Sequence, residues 1–142
     1  MSSYDNSILA EVLKSPTWVI FTAENPDNKQ LTEVENASLR VQLKRNLNIL
    51  GCDYEEIYGK YCGKEERPVI LYPAAQVTRH LAASLAHYYG QESVLTHEGL
   101  VYQDGSCNPV ISWIFSLTEP EDNYTLIRST YVTANIKFDE KN

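Results

Sequence analysis

An α+β fold, with a largely antiparallel sheet and two main helices packed on one of its faces, is predicted by three features of this 142-residue sequence. Two segments carry leucines at helical spacing and stop at a glycine. The apolar runs outside them are too short for buried helices and read as strands. Late in the chain these runs follow one another through short turns, which join antiparallel strands and not parallel ones.

The elements follow in order. Residues 4–14 predict a short amphipathic helix with Ile8, Leu9, Val12 and Leu13 on one side, stopped before Pro16. The run Trp18-Val19-Ile20-Phe21-Thr22-Ala23 reads as a buried strand feeding the turn Asn25-Pro26-Asp27-Asn28. Thr32 and Glu35 fit a capping box, in which hydroxyl and carboxylate each satisfy an orphan amide. Leu39, Leu43, Leu47 and Leu50 then recur at helical spacing before Gly51, and Asn36 lies one turn ahead on the same inward stripe. Tyr54–Tyr61 and Pro68–Tyr72 read as strands joined by Gly63-Lys64-Glu65-Glu66. Pro73 is expected to open the second helix, with Val77, Leu81, Leu85 and Tyr88 as its buried stripe and Gly90 as its end. A hairpin follows around His97-Glu98-Gly99, then strands at Val110–Leu117 and Leu126–Phe138 across the acidic turn Glu119–Asn123.

Size and composition narrow the class of function. The length is that of one domain, residues 1–142, and 43% hydrophobic and 11% aromatic content suffice for a packed core. Ten tyrosines suit strands and half-buried surfaces, and they also suit a binding face. A net charge of −7 works against phosphate backbones and anionic lipid, so neither nucleic acid nor a membrane is the expected partner. Two or three local arginines would still grip a nucleotide. The segment Ile8–Leu13 is short, interrupted by Glu11 and without a basic flank, so no signal peptide is expected. Cys52, Cys62 and Cys107 are odd in number and widely spaced, which suits free thiols in a reducing cytoplasm, with a Cys52–Cys62 disulfide as the alternative. His80 and His87 stand two helical turns apart, too far for an adjacent-turn metal pair. No metal and no cofactor is expected.

Phe21-Thr22-Ala23-Glu24-Asn25-Pro26, Leu31-Thr32-Glu33-Val34-Glu35-Asn36, Leu43 and Gly51 resemble a bacterial family of uncharacterised proteins, domain of unknown function 3293. Gly59, Glu66 and Tyr89-Gly90-Gln91 are the later points of resemblance. The likeness spans residues 18–102 and leaves 103–142 as a C-terminal strand extension. Glu24 departs from it, standing where an aromatic residue is common, and Leu39 stands where a polar one is frequent. The family implies no reaction.

Thr22, Asn25, Asn36, Glu66, Arg67 and Gln91 all fall at element ends, where a fixed core presents polar groups to solvent. Their functional reading is a pocket for a polar small molecule, nucleotide-like in one version. Asn and Gln would supply paired donors and acceptors, Glu66 an anion or base, and Arg67 or Arg79 a phosphate or carboxylate contact. Their structural reading is that Asn25 shapes its turn, Asn36 pins the helix start and Gln91 caps a carbonyl. Two other functions remain open on the sequence. One is an interaction or inhibitor protein without catalysis, acting on a protein partner; the other is a hydrolase or transferase with Glu66 as general base. Lys44 and Arg45 are expected to be solvated charge on the outer side of the first helix. A homodimer through the C-terminal strands is also among the expected assemblies.

Overall fold

Short apolar runs with polar ends pair here into a continuous antiparallel ladder. The computed structural model describes residues 16–61, 64–116, 124–127 and 133–138, with side chains for 16–57 and 67–109. The helix expected over residues 4–14 and the turn Glu119–Asn123 lie outside the described residues. In chain order the elements are β1 (Val19–Phe21), α1 (Glu33–Ile49), β2 (Asp53–Glu56), β3 (Tyr58–Tyr61), β4 (Lys64–Glu66), β5 (Val69–Tyr72), α2 (Arg79–Tyr88), β6 (Ser93–Thr96), β7 (Gly99–Tyr102), β8 (Cys107–Ser116), β9 (Tyr124–Ile127) and β10 (Thr133–Phe138).

Six strands form an antiparallel sheet in the order β2-β5-β1-β6-β7-β8. Strand β8 is long enough to serve two neighbours: Cys107–Pro109 pair with β7, and Val110–Ser116 continue beside β10. From there the order runs β10-β9-β3-β4. Only Ile57 separates β2 from β3, and only Arg67 and Pro68 separate β4 from β5. The Ile57 N–H donates to the Pro68 carbonyl at 3.0 Å across this corner. The two ends of the strand order are therefore halves of one bent hairpin, and the ladder returns to the hairpin where it began.

Both helices pack on the same face of the six-stranded sheet, as expected. Val19, Phe21, Val69, Leu71, Val94 and Val101 meet Leu43 and Leu47 of α1 and Ala82 and Ala86 of α2 in one core. Alternate residues Ile20, Ile70, Leu95 and Leu100 point to the opposite face and are buried too. Burial on both sides explains why the strand runs are apolar throughout and do not alternate.

Several expectations are corrected. Lys64–Glu66 is a strand and not a loop, because Glu66, Glu65 and Lys64 continue the hairpin register against Gly59, Lys60 and Tyr61. The single strand expected over Leu126–Phe138 is two, β9 and β10, paired with each other. The second helix starts at Arg79 and not at Pro73, because the Thr78 hydroxyl accepts the Leu81 N–H and so fixes the first turn there. Of the expected stripe, Val77 is buried ahead of the helix and Leu85 is partly buried against the core. The fully buried helical positions are Ala82 and Ala86, whereas Leu81 is partly exposed and Tyr88 largely so. α2 lies against β6 and β7, where small side chains let the helix approach the sheet. In α1 the capping box at Thr32 and Glu35 is formed. Its last turn closes through the Cys52 N–H on the Leu47 carbonyl, with Gly51 left-handed at φ 69°, a Schellman ending. Leu50 stands at that ending and is exposed, outside the buried stripe of Asn36, Leu43 and Leu47. Cys52 and Cys107 form no disulfide among the described residues, and Cys62 lies outside them.

Candidate functional site

The loop from β1 to α1 is held by side chains and not by regular backbone pairing. Asn25 adopts the left-handed conformation, at φ 47° and ψ 53°, a region that asparagine tolerates better than most residues. Its backbone N–H donates to Asn36 Oδ1 at 2.9 Å, and Asn36 Nδ2 donates back to Asn25 Oδ1 at 3.0 Å. Asn25 Oδ1 also accepts the Leu31 N–H at 2.9 Å. The buried carboxamide of Asn36 thus has partners on both its atoms, within the loop that it anchors.

The end of α2 locks onto the same loop. Gln91 Nε2 donates to the Glu24 carbonyl at 2.9 Å and to the Tyr89 carbonyl at 3.0 Å. The Asp27 N–H donates to the Gly90 carbonyl at 2.7 Å. Phe21 and Tyr89 stack beneath, with ring centroids 5.2 Å apart. Burial raises the pKa of the Tyr89 phenol, against an opposing hydrogen bond with Asn46.

Glu24 is the hub on the other side. Its N–H donates to Thr22 Oγ1 at 3.1 Å, and the Thr22 hydroxyl donates to Glu24 Oε2 at 3.3 Å. Oε2 also accepts the Arg67 N–H at 2.8 Å, while Oε1 receives Arg40 Nη1 at 3.1 Å. The second guanidinium nitrogen of Arg40 reaches Glu33 at 2.6 Å. Burial opposes the charge on Arg40, but the hydrogen bonds and charges of Glu33 and Glu24 outweigh it and raise its pKa. The same Arg40 bond holds the Glu33 carboxyl below its ordinary value, with a smaller contribution from the Arg67 charge.

Beside this hub, between α1 and strands β2 and β5, lies a cleft of about 200 Å³. Arg40, Lys44 and Arg67 line it together with Glu56, over a wall of Ala37, Val41, Leu43 and Val69. Lys44 pairs with Glu56 at 2.9 Å, so it is part of the cleft and not solvated charge on the outer side of the helix. On the other flank of α1, a groove of about 350 Å³ runs between the helices past Gln42, Asn46, Tyr88 and Tyr89.

The structure therefore brings Thr22, Asn25, Asn36, Gln91 and the backbone of Arg67 into one region, around the β1–α1 loop. It spends both carboxamide atoms of Asn36, the Oδ1 of Asn25 and the Nε2 of Gln91 on the protein itself. Glu66 is placed in β4 by its backbone; its side chain lies outside the described part of the structure. Arg79 is not near this region, because it begins α2 while Gln91 follows its end, and it pairs with Glu98 at 3.2 Å. Glu24, Arg40 and Lys44 were missed by sequence reasoning. The one signal available was an acid at position 24, between a buried apolar run and the Asn-Pro turn. Among the described residues, no group of three or more His, Cys, Asp or Glu is placed to hold a metal ion. Nor is any helix among them long and apolar enough to cross a membrane. Comparison with known protein families, curated proteins and solved structures finds no match for the chain.

Proposed function

We propose that the protein binds a small polar molecule through a carboxylate or phosphate group, in the cleft between α1 and β5. The observation that carries this reading is the convergence of Arg40, Lys44 and Arg67 on one concave, apolar-walled site. The three carboxylates around them differ in exposure. The Glu24 side chain is 11% exposed and fixes Arg40 from behind, whereas those of Glu33 and Glu56 are 71% and 61% exposed. An incoming anion replaces the two exposed partners at little cost, because solvent-exposed ion pairs contribute roughly 0–1 kcal/mol. The buried one stays and keeps the guanidinium aimed.

At about 200 Å³ the cleft is below the size of a typical drug-sized pocket, so it fits an anionic group with a short apolar neighbour. For a nucleotide it would take the phosphate end alone. Thr22, Asn25, Asn36 and Gln91 support the site by fixing the loop that carries Glu24. This reading extends to the chain's placement in domain of unknown function 3293, whose Thr-Ala-x-Asn-Pro turn would be the scaffold of the same loop.

Isothermal titration and thermal shift with inorganic phosphate, citrate, adenosine monophosphate and short carboxylic acids test the proposal. Binding of one or more anions is expected, weakened about tenfold or more by Lys44→Gln and by Arg67→Gln with the melting temperature of the free protein little changed. If no anion in the panel binds, or if binding survives both substitutions, the cleft is an ion-pair network that only supports the fold.

A further inference from the structure

The cleft beside Glu24 does not end at Lys44. A second groove, of about 600 Å³, continues along the same flank of α1, lined by Val41, Lys44, Arg45, Asn48, Ile49 and Tyr54. Val41 and Lys44 border both hollows, so the two meet end to end. The opposite wall keeps pace: Glu56 borders the cleft and Tyr54 the groove, two residues apart on one face of β2. Helix and strand thus enclose one trough. From Arg40 to Asn48 it runs eight residues, about 12 Å along the helix axis.

The two halves differ in chemistry. Three cations and one carboxylate, Glu56, line the cleft. Lys44 and Arg45 line the groove with no carboxylate beside them, in a chain of 19 acidic and 12 basic residues. Arg45 makes no ion pair among the described residues. Tyr54 packs against the core and so holds its ring steady at the groove wall. Val41 and Ile49 line the same groove from the helix, and both are more than half exposed.

We propose that the trough takes a phosphate ester of a planar aromatic group, with a nucleoside monophosphate as the type. The phosphate sits with Arg40, Lys44 and Arg67, and the base lies on Tyr54 beside Val41 and Ile49. This rests on the anion-binding reading of the cleft and adds the second half of the ligand. Positive charge without a facing acid selects an anionic ligand over a neutral one. A ring lodged among an aromatic and two aliphatic side chains gains stacking and burial. The exposed Asn48 carboxamide offers the donor and acceptor that a base edge matches. The Arg45 guanidinium lies flat on the outer face of the ring. Inorganic phosphate fills the cleft alone and leaves Val41 and Ile49 in water.

Isothermal titration of the full chain with inorganic phosphate, ribose 5-phosphate and adenosine monophosphate is the test. Adenosine monophosphate should bind about tenfold or more tighter than ribose 5-phosphate, the difference being the stacked base. Tyr54→Leu should abolish that advantage and leave the affinity for inorganic phosphate unchanged. Because Tyr54 also touches the core, Ile49→Ser at an exposed position is the second variant, and it should reduce the advantage with an unchanged melting temperature. Equal affinity for the two esters overturns the inference, and binding of phosphate in the same series would keep the anion-binding reading intact. An advantage that survives both substitutions places the base elsewhere and also overturns it. If no phosphate compound binds, the inference fails, and the anion-binding reading is then decided by the carboxylates of its own panel.

Discussion

Glu24 accepts hydrogen bonds from three segments of the chain: its own turn through Thr22, the β4–β5 corner through the Arg67 N–H, and helix α1 through Arg40. A carboxylate with that set of donors fixes the distance between a loop, a strand corner and a helix flank. Gly90 does related work without a side chain. It is left-handed at φ 65°, and a Cβ there would come within 2.8 Å of Pro26 Cβ and 3.0 Å of the Asp27 nitrogen. Gly51 shares the positive φ but has open space around it. Gly51→Ala should therefore cost only the backbone term, about 1–2 kcal/mol. Gly90→Ala should cost that plus about 1–3 kcal/mol of overpacking against the β1–α1 loop. Urea unfolding of the two variants checks this; equal midpoints would show that the loop moves aside freely.

The two helices illustrate opposite relations between pattern and packing. The start of α1 is local chemistry, Thr32 and Glu35 each satisfying the other's backbone. Hydrogen bonding to the Thr32 backbone and hydroxyl lowers the pKa of the Glu35 carboxyl from its ordinary value of 4.5. A carboxyl depressed in the folded state contributes stability above its unfolded pKa, and that contribution is lost as the pH falls through the folded one. Glu35→Gln keeps an acceptor for the box but cannot titrate. The parent should be the more stable protein above pH 4.5, and the difference should close as the solution is acidified. Thermal melts from about pH 7 to pH 3 measure it, and a gap that stays constant with pH would exclude the carboxylate as its source. In α2, by contrast, hydropathy points to Leu81 and Tyr88, while the sheet accepts Ala82 and Ala86. The distance between helix and sheet decides that choice, and no periodicity within the helix reports it.

At the scale of the whole molecule, the bent hairpin Asp53–Tyr72 and the long strand β8 each run through both parts of the ladder. Neither part can lose its strands without disturbing the other. Unfolding should therefore be a single cooperative transition, with tryptophan fluorescence and far-ultraviolet circular dichroism giving one midpoint. Trp18 precedes β1, and Trp113 lies in the half of β8 paired with β10, so the two tryptophans sample both parts. Two separated transitions would mean that the C-terminal strands form a unit of their own.

Much of this architecture is readable from residues that act on their near neighbours. The capping box, the Asn25 turn, the stops at Gly51 and Gly90 and the β6–β7 hairpin depend on groups a few positions apart, and sequence exposes such groups directly. Asn36 and Gln91 were visible as polar residues at element ends, although their partners, eleven and 67 residues away, were not. Glu24 is 16 residues from Arg40 and 43 from Arg67, and Lys44 is joined to Glu56 across a helix-to-strand gap. A charged residue on a helix flank looks solvated until the fold supplies the other wall. The sequence by itself determined the α+β class and marked the β1–α1 loop as a cluster of polar residues at element ends. Only the tertiary structure decided that the loop's amides bind one another and that the cations meet in a cleft beside it. The physical reason is that hydrogen-bond saturation and cleft formation depend on distances across the fold, which local pattern does not encode.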